Sequence, residues 1–257
     1  QMLPLLRKAQ QYPDLEIEVP SAVFETMFGY DLDGDGLNDL DAPGEKICID
    51  QGDLVLLDGL LCTFLAVGEV ANAYNFEFTG VTDDYGKVDA EGWIARDDYF
   101  PLAPFYSMRP DAAQHLQSAL AYFETALEKA ELGLQITFAE SEDYYEILPV
   151  NSEPDFRHFV ESLVSNPIYV DLQDAKGLLA GVYTMDLSKG PFGMPGQSFR
   201  VDMRRFFTQP RDLRDFIPDI NVRTHATRYT GDETFGGLAP NGDIDDNMNM
   251  ALGAATL

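Results

Sequence analysis

A mainly α fold is expected for this chain of 257 residues: an irregular helical bundle around one central apolar helix, with a small β-hairpin in the C-terminal third. Three observations predict it. Leu54, Val55, Leu57, Leu60, Leu61, Phe64, Leu65, Val67, Val70 and Ala71 recur at spacings of three and four within 51–75, on a surface so broad that the helix should be nearly surrounded. Leu116, Leu120, Phe123, Ala126 and Leu127 form a second stripe from Asp111 to about Leu132, with Gln114, Gln117, Glu124, Glu128 and Lys129 opposite. After Gly181 the texture changes to extended segments, Val182 to Leu187 and Phe199 to Met203, joined by a Gly- and Pro-rich loop. A single domain over 1–257 accommodates all three, with a sub-division near 180 between the helical part and the loop-rich part.

In chain order, residues 1–20 open with Leu3, Leu5 and Leu6 beside Arg7 and Lys8, then alternate through Leu15 to Val19, which suits a short helix and an extended piece. Ser21 caps a predicted helix of about two turns through Phe28. The apolar helix follows the acidic stretch 31–41. Asp58 in its middle and Glu69 near its end weigh against a transmembrane span, since each is costly in hydrocarbon. Thr82 to Asp89 reads as an ordinary turn before Trp93, because it lacks alternating carboxylates. Tyr99 to Tyr106 interleaves aromatics with Pro101 and Pro104 and is expected to strap the core. Further helices are predicted over Asp155 to Ser165 and about Leu172 to Leu179.

Charge bounds the function. The chain carries 44 acidic against 17 basic residues, net −27, which repels nucleic-acid backbones and anionic membranes. The exception is 200–228, where Arg200, Arg204, Arg205, Arg211, Arg214, Arg223 and Arg228 face Asp202, Asp212, Asp215 and Asp219. These arginines either pair within the fold or meet the acidic N-terminal half of another copy, building rings or filaments.

The most chemically specific stretch is Asp31-Leu32-Asp33-Gly34-Asp35-Gly36-Leu37-Asn38-Asp39-Leu40-Asp41. Carboxylates at alternate positions before a glycine bend can surround one hard cation. Asp31, Asp33 and Asp35 would supply side-chain oxygen, Leu37 its carbonyl, and Asp39 a direct or water-bridged contact. The stretch resembles the EF-hand loop and, more closely, the Asp-rich repeats of thrombospondin type 3 and dockerin-like modules, which are mostly extracytoplasmic. That resemblance implies Ca²⁺ as cofactor. At the twelfth position, where those families place a bidentate acid, this chain has Ala42, so Asp41, Glu45 or a water must close the shell. The same residue types also build acidic surface turns without metal. The Asn/Asp run 241–247 is a second, weaker calcium candidate.

No enzyme motif emerges: there is no Gly-x-Ser-x-Gly elbow, no phosphate loop and no His-Glu-x-x-His. His115, His158 and His225 are scattered, and Cys62 between Leu61 and Phe64 is a poor nucleophile. Cys48 and Cys62 leave a disulfide or two buried thiols, the disulfide requiring residues 48–50 to fold back along the apolar helix. No basic and apolar leader opens the chain at Gln1, so a removed leader or a trimmed chain is expected. The order of the pieces, from acidic loop to apolar helix to Leu213-Arg214-Asp215-Phe216 and Thr234-Phe235-Gly236-Gly237, resembles helical secreted proteins or lipoproteins of bacteria. An extracytoplasmic, calcium-binding structural or interaction protein is expected, more a binder than an enzyme. It would pair with itself or another cell-surface component, without nucleic acid or a transmembrane span. The alternative is a secreted hydrolase or glycan-binding module using the aromatics near 99–106.

Overall fold

The computed structural model describes residues 2–20, 46–76, 88–95, 106–139, 172–186, 198–216, 218–224, 227–228, 233–234 and 238–240. Among these the chain is mainly helical. Helices α1 (Met2–Ala9), α2 (Gln51–Ala73), α3 (Ala112–Ala139), α4 (Leu172–Ala180) and α5 (Met203–Thr208) are joined by a 3-10 turn, Leu213–Phe216. Nine short strands pair antiparallel: β1 (Ile17–Pro20) with β2 (Lys46–Ile49), β4 (Val182–Asp186) with β5 (Ser198–Asp202), and β8 (Glu233–Thr234) with β9 (Ala239–Pro240). The remaining three form a sheet in the order β3 (Trp93–Ile94), β6 (Asp219–Asn221), β7 (Thr227–Arg228).

The expected α1, the central α2, the hairpin β4–β5 and helix α4 are all present. Helix α3 runs seven residues past the expected Leu132, to Ala139, because Gly133 does not break it. Its Cβ position would lie 2.6 Å from Leu56 Cγ, so the glycine's missing side chain is what lets α2 approach. The predicted helices at 21–28 and 155–165 lie outside the described residues, as does most of the 99–106 strap.

Two compact units emerge, one from Gln1–Thr63 with Thr125–Asn166, the other from Phe64–Glu124 with Pro167–Leu257. In both, α2 and α3 meet along small residues. Gly52, Gly59, Ala66 and Ala73 are buried at every seventh position of α2, and Ala112, Ala119, Ala126 and Gly133 at every seventh position of α3. In the first unit a Cβ on Gly59 would lie 3.1 Å from the Ala126 carbonyl oxygen. Residue Asp50 starts α2 with a reciprocal cap: its Oδ1 accepts the Asp53 N–H at 3.0 Å, while its own N–H points to Asp53 Oδ2 at 3.4 Å.

In the second unit the core gathers Ala73, Tyr74, Ala112, Leu116, Ala119, Leu120 and Phe207. The Arg204-Arg205-Phe206-Phe207 segment anchors it: Phe206 and Phe207 meet edge to face at 5.0 Å, Phe207 meets Phe123 at 5.9 Å, and Phe206 meets Phe216 at 5.5 Å. The Asp202 side chain caps α5 by accepting the Arg205 N–H.

One expectation is corrected. Helix α2 is central but not nearly surrounded: Leu57, Leu60, Phe64, Leu65 and Val67 are all exposed. Nor do residues 48–50 fold back along α2 to join Cys62. Cys48 and Ile49 belong to the β1–β2 ladder, with Glu18 opposite Cys48, and no disulfide joins Cys48 to Cys62.

Candidate functional site

The groups on which sequence reasoning placed calcium, Asp31, Asp33, Asp35, Leu37, Asp39, Asp41 and Glu45, lie outside the described residues, as do His158, His225 and the 241–247 run. Among the described residues, no group of three or more His, Cys, Asp or Glu side chains is placed to hold a metal ion. Of 82–89, Val88 and Asp89 are described, and Asp89 anchors a turn over residues 89–92 ahead of Trp93. Its Oδ1 accepts the Trp93 N–H at 2.8 Å and the Glu91 N–H at 3.0 Å, and these bonds, the Trp93 one foremost, hold its carboxyl below the usual range.

What the structure does assemble is a polar knot in the first unit. Asp58, fully buried in the middle of α2, receives a fork from Arg7 of α1, with Nε at 3.1 Å from Oδ2 and Nη2 at 3.2 Å from Oδ1. Gln10 Nε2 adds a bond at 3.2 Å, and Lys129 Nζ of α3 stands 3.3 Å away. Gln10 in turn ties α1 to its neighbours: its amide donates to the Leu54 carbonyl at 3.0 Å and its Oε1 accepts from Lys129 Nζ at 2.7 Å. Burial pushes the Asp58 carboxyl up, but the bonds from Arg7 and Gln10 and the charges of Arg7 and Lys129 outweigh it, so the group sits below the usual range.

Cys62, one turn on, completes the knot. Its buried Sγ lies 3.5 Å from Asp58 Oδ1 and 3.4 Å from Arg7 Nη2. Burial, reinforced by the Asp58 carboxylate, raises the thiol above its ordinary value, so the sulfur is a protonated donor and not a thiolate nucleophile. The sequence singled out Asp58 only as an obstacle to membrane insertion. The signal for its role was the pair Arg7 and Lys8 at the end of an amphipathic helix, cations with the length to reach a lone buried acid.

In the second unit His115 bridges two acids. Its Nδ1 lies 2.5 Å from Glu69 Oε2 of α2, and its Nε2 lies 3.4 Å from Asp111 Oδ2. With a carboxylate on each nitrogen the doubly protonated ring is favoured, and the bond to Glu69 is the largest cause of its raised pKa. The chemistry is that of an ion-paired clasp between helices.

Two arginines of the 200–228 stretch are paired within the fold. Arg204 Nη1 donates to Glu124 at 2.8 Å and to the Leu179 carbonyl at 2.8 Å. Arg228 meets Asp219 at 3.1 Å and lies 4.3 Å from the centre of the Trp93 ring. Of the 99–106 aromatics, Tyr106 is described: it packs edge to face on Phe76 at 5.8 Å, its backbone at φ 64°. Comparison with protein-family models, curated proteins and solved structures finds no match to this chain.

Proposed function

We propose that the chain is an extracytoplasmic structural or interaction protein, stabilised by calcium on the 31–41 loop and working by contact, not by turnover. One observation carries the contact reading: α2 turns its acids inward, Asp58 against Arg7 and Glu69 against His115, while Leu57, Leu60, Phe64, Leu65 and Val67 are left exposed. An exposed apolar strip on a helix whose charges are spent internally is a binding surface. The calcium and extracytoplasmic parts rest on the spacing of Asp31, Asp33 and Asp35 ahead of Gly36, and on a net charge of −27 that a divalent ion would relieve.

Self-assembly belongs to this reading. Contact between an acidic N-terminal half and the 200–228 arginines competes with the pairs that Arg204 and Arg228 already make, which shifts weight to apolar contact. The test of the calcium part is thermal unfolding with calcium or a chelator. Calcium should raise the melting temperature of the wild type and leave Asp33→Ala with Asp35→Ala unmoved. An undiminished rise in the double variant removes the loop as the site.

A further inference from the structure

The geometry points to a second copy of this chain as the occupant of the exposed α2 strip, packed antiparallel about a two-fold axis at Phe64. The proposal rests on the interaction-protein reading above and is independent of its calcium part.

The strip is a seam, not a scatter. Leu57, Leu61, Phe64, Gly68 and Ala71 follow one another at intervals of four, three, four and three, the repeat that keeps one edge of a helix against a partner helix. The buried small residues Gly52, Gly59, Ala66 and Ala73 occupy the opposite side of α2, so the two contacts do not compete. Phe64 is 64% exposed and the flanking Leu60, Leu65 and Val67 are 51%, 41% and 55% exposed, so the seam is open and broad.

Side-chain size along the seam selects the partner and its direction. The N-terminal half is large, Leu57 and Leu61, and the C-terminal half is small: Gly68 has no atom within 4 Å of its Cβ position, and Ala71 is exposed. Reversing a second copy about Phe64 brings Gly68 level with Leu60, next to Leu61 on the seam, and Ala71 level with Leu57, each notch under a bulge. Parallel pairing would set Gly68 against Gly68 and leave a gap, which costs contact. The strip is therefore complementary to itself when turned over, as an isologous interface requires.

Area and charge set the strength. The five large exposed side chains offer roughly 400 Å² per copy, about 800 Å² per pair, the range of a weak reversible association. Two chains of net charge −27 repel each other, so the dimer should tighten with salt. A bilayer is the poorer partner, because the same charge repels anionic headgroups.

The test is sedimentation of the full chain at about 10 to 200 µM in low and high salt, with and without chelator. The wild type should self-associate, several-fold more tightly in high salt, and equally so after chelation, which separates this proposal from the calcium one. Phe64→Glu, which sets two like charges on the axis, should abolish association while leaving the helical signal unchanged, and Gly68→Leu should weaken it by filling the notch. In a Cys48→Ser background, Phe64→Cys should oxidise to a disulfide dimer and Gly68→Cys alone should not. A monomer at every concentration in high salt overturns the proposal. So does cross-linking by Gly68→Cys alone, or Phe64-dependent binding to zwitterionic vesicles without any dimer.

Discussion

Removing the Asp58 carboxylate tests whether the polar knot holds α1 and α3 to α2. In Asp58→Ala, Arg7 loses a two-pronged partner at 3.1 and 3.2 Å, Lys129 loses one at 3.3 Å, and Gln10 one at 3.2 Å. Taking one member from a buried pair costs about 3–5 kcal/mol when the other is left buried and unpaired. Here Arg7 and Lys129 are both partly exposed and can turn to water, which places the cost lower, at about 2–3 kcal/mol. That corresponds to a fall in melting temperature of about 4–10 °C for a chain of this size. The assay is thermal and urea unfolding followed by helix circular dichroism, run as a cycle with Arg7→Gln. The double variant should lose about 1–2 kcal/mol less than the sum of the singles. The acid arm has a definite sign. The Asp58 pKa is depressed in the folded chain, so its contribution is present above the unfolded value near 4 and is lost as pH falls through the lower folded one. Wild type and Asp58→Asn should converge there. A shift below about 1 °C, or strict additivity in the cycle, would refute the reasoning.

Three further outcomes follow from the geometry. His115 has a raised folded pKa, so its clasp contributes fully below about pH 6.5 and fades as pH rises through the folded value; the stability gap between wild type and His115→Gln should be widest just below about pH 6.5 and shrink as pH rises through that folded value. Gly59→Val must displace the Ala126 backbone 3.1 Å away and should cost about 1–3 kcal/mol in urea unfolding, whereas Gly68→Ala, with open space around it, should add about 0.5–1 kcal/mol from helix propensity. Gly92 sits at φ 96° with Arg223 Cδ 2.9 Å from its Cβ position, so Gly92→Ala should cost about 1–2 kcal/mol and show as faster amide exchange at Val222, whose N–H bonds the Gly92 carbonyl.

Periodicity makes α2 and α3 legible, because each has a repeat that one face must bury, and the Gly- and Pro-rich loop marks the β4–β5 hairpin. Pairings between distant segments are not legible. Nothing local in Lys46–Ile49 says that it joins Ile17–Pro20, and nothing near Asp58 says that Arg7 and Lys129 will arrive. The breadth of the apolar surface on α2 misled in one respect. It suggests a nearly surrounded helix, yet it arises from two separate seams, small residues toward α3 and large ones toward solvent. A sum of hydrophobicity cannot tell these apart, whereas the size of the residue at every seventh position does. The arginines of 200–228 were legible as a charge reversal, and Arg204 and Arg228 prove to be spent on Glu124 and Asp219.

The ladder that sets Pro20 opposite Lys46 has a consequence for the twenty-five positions between them. The two ends of this tether, Pro20 and Lys46, are held side by side like a pair of rivets. The tether is already closed by backbone bonds, and doubling its length would cost only about 0.6 kcal/mol more in closure entropy. Under chelation, where calcium contributes nothing, residues inserted between Pro20 and Lys46 should therefore leave the melting of the helices almost unchanged.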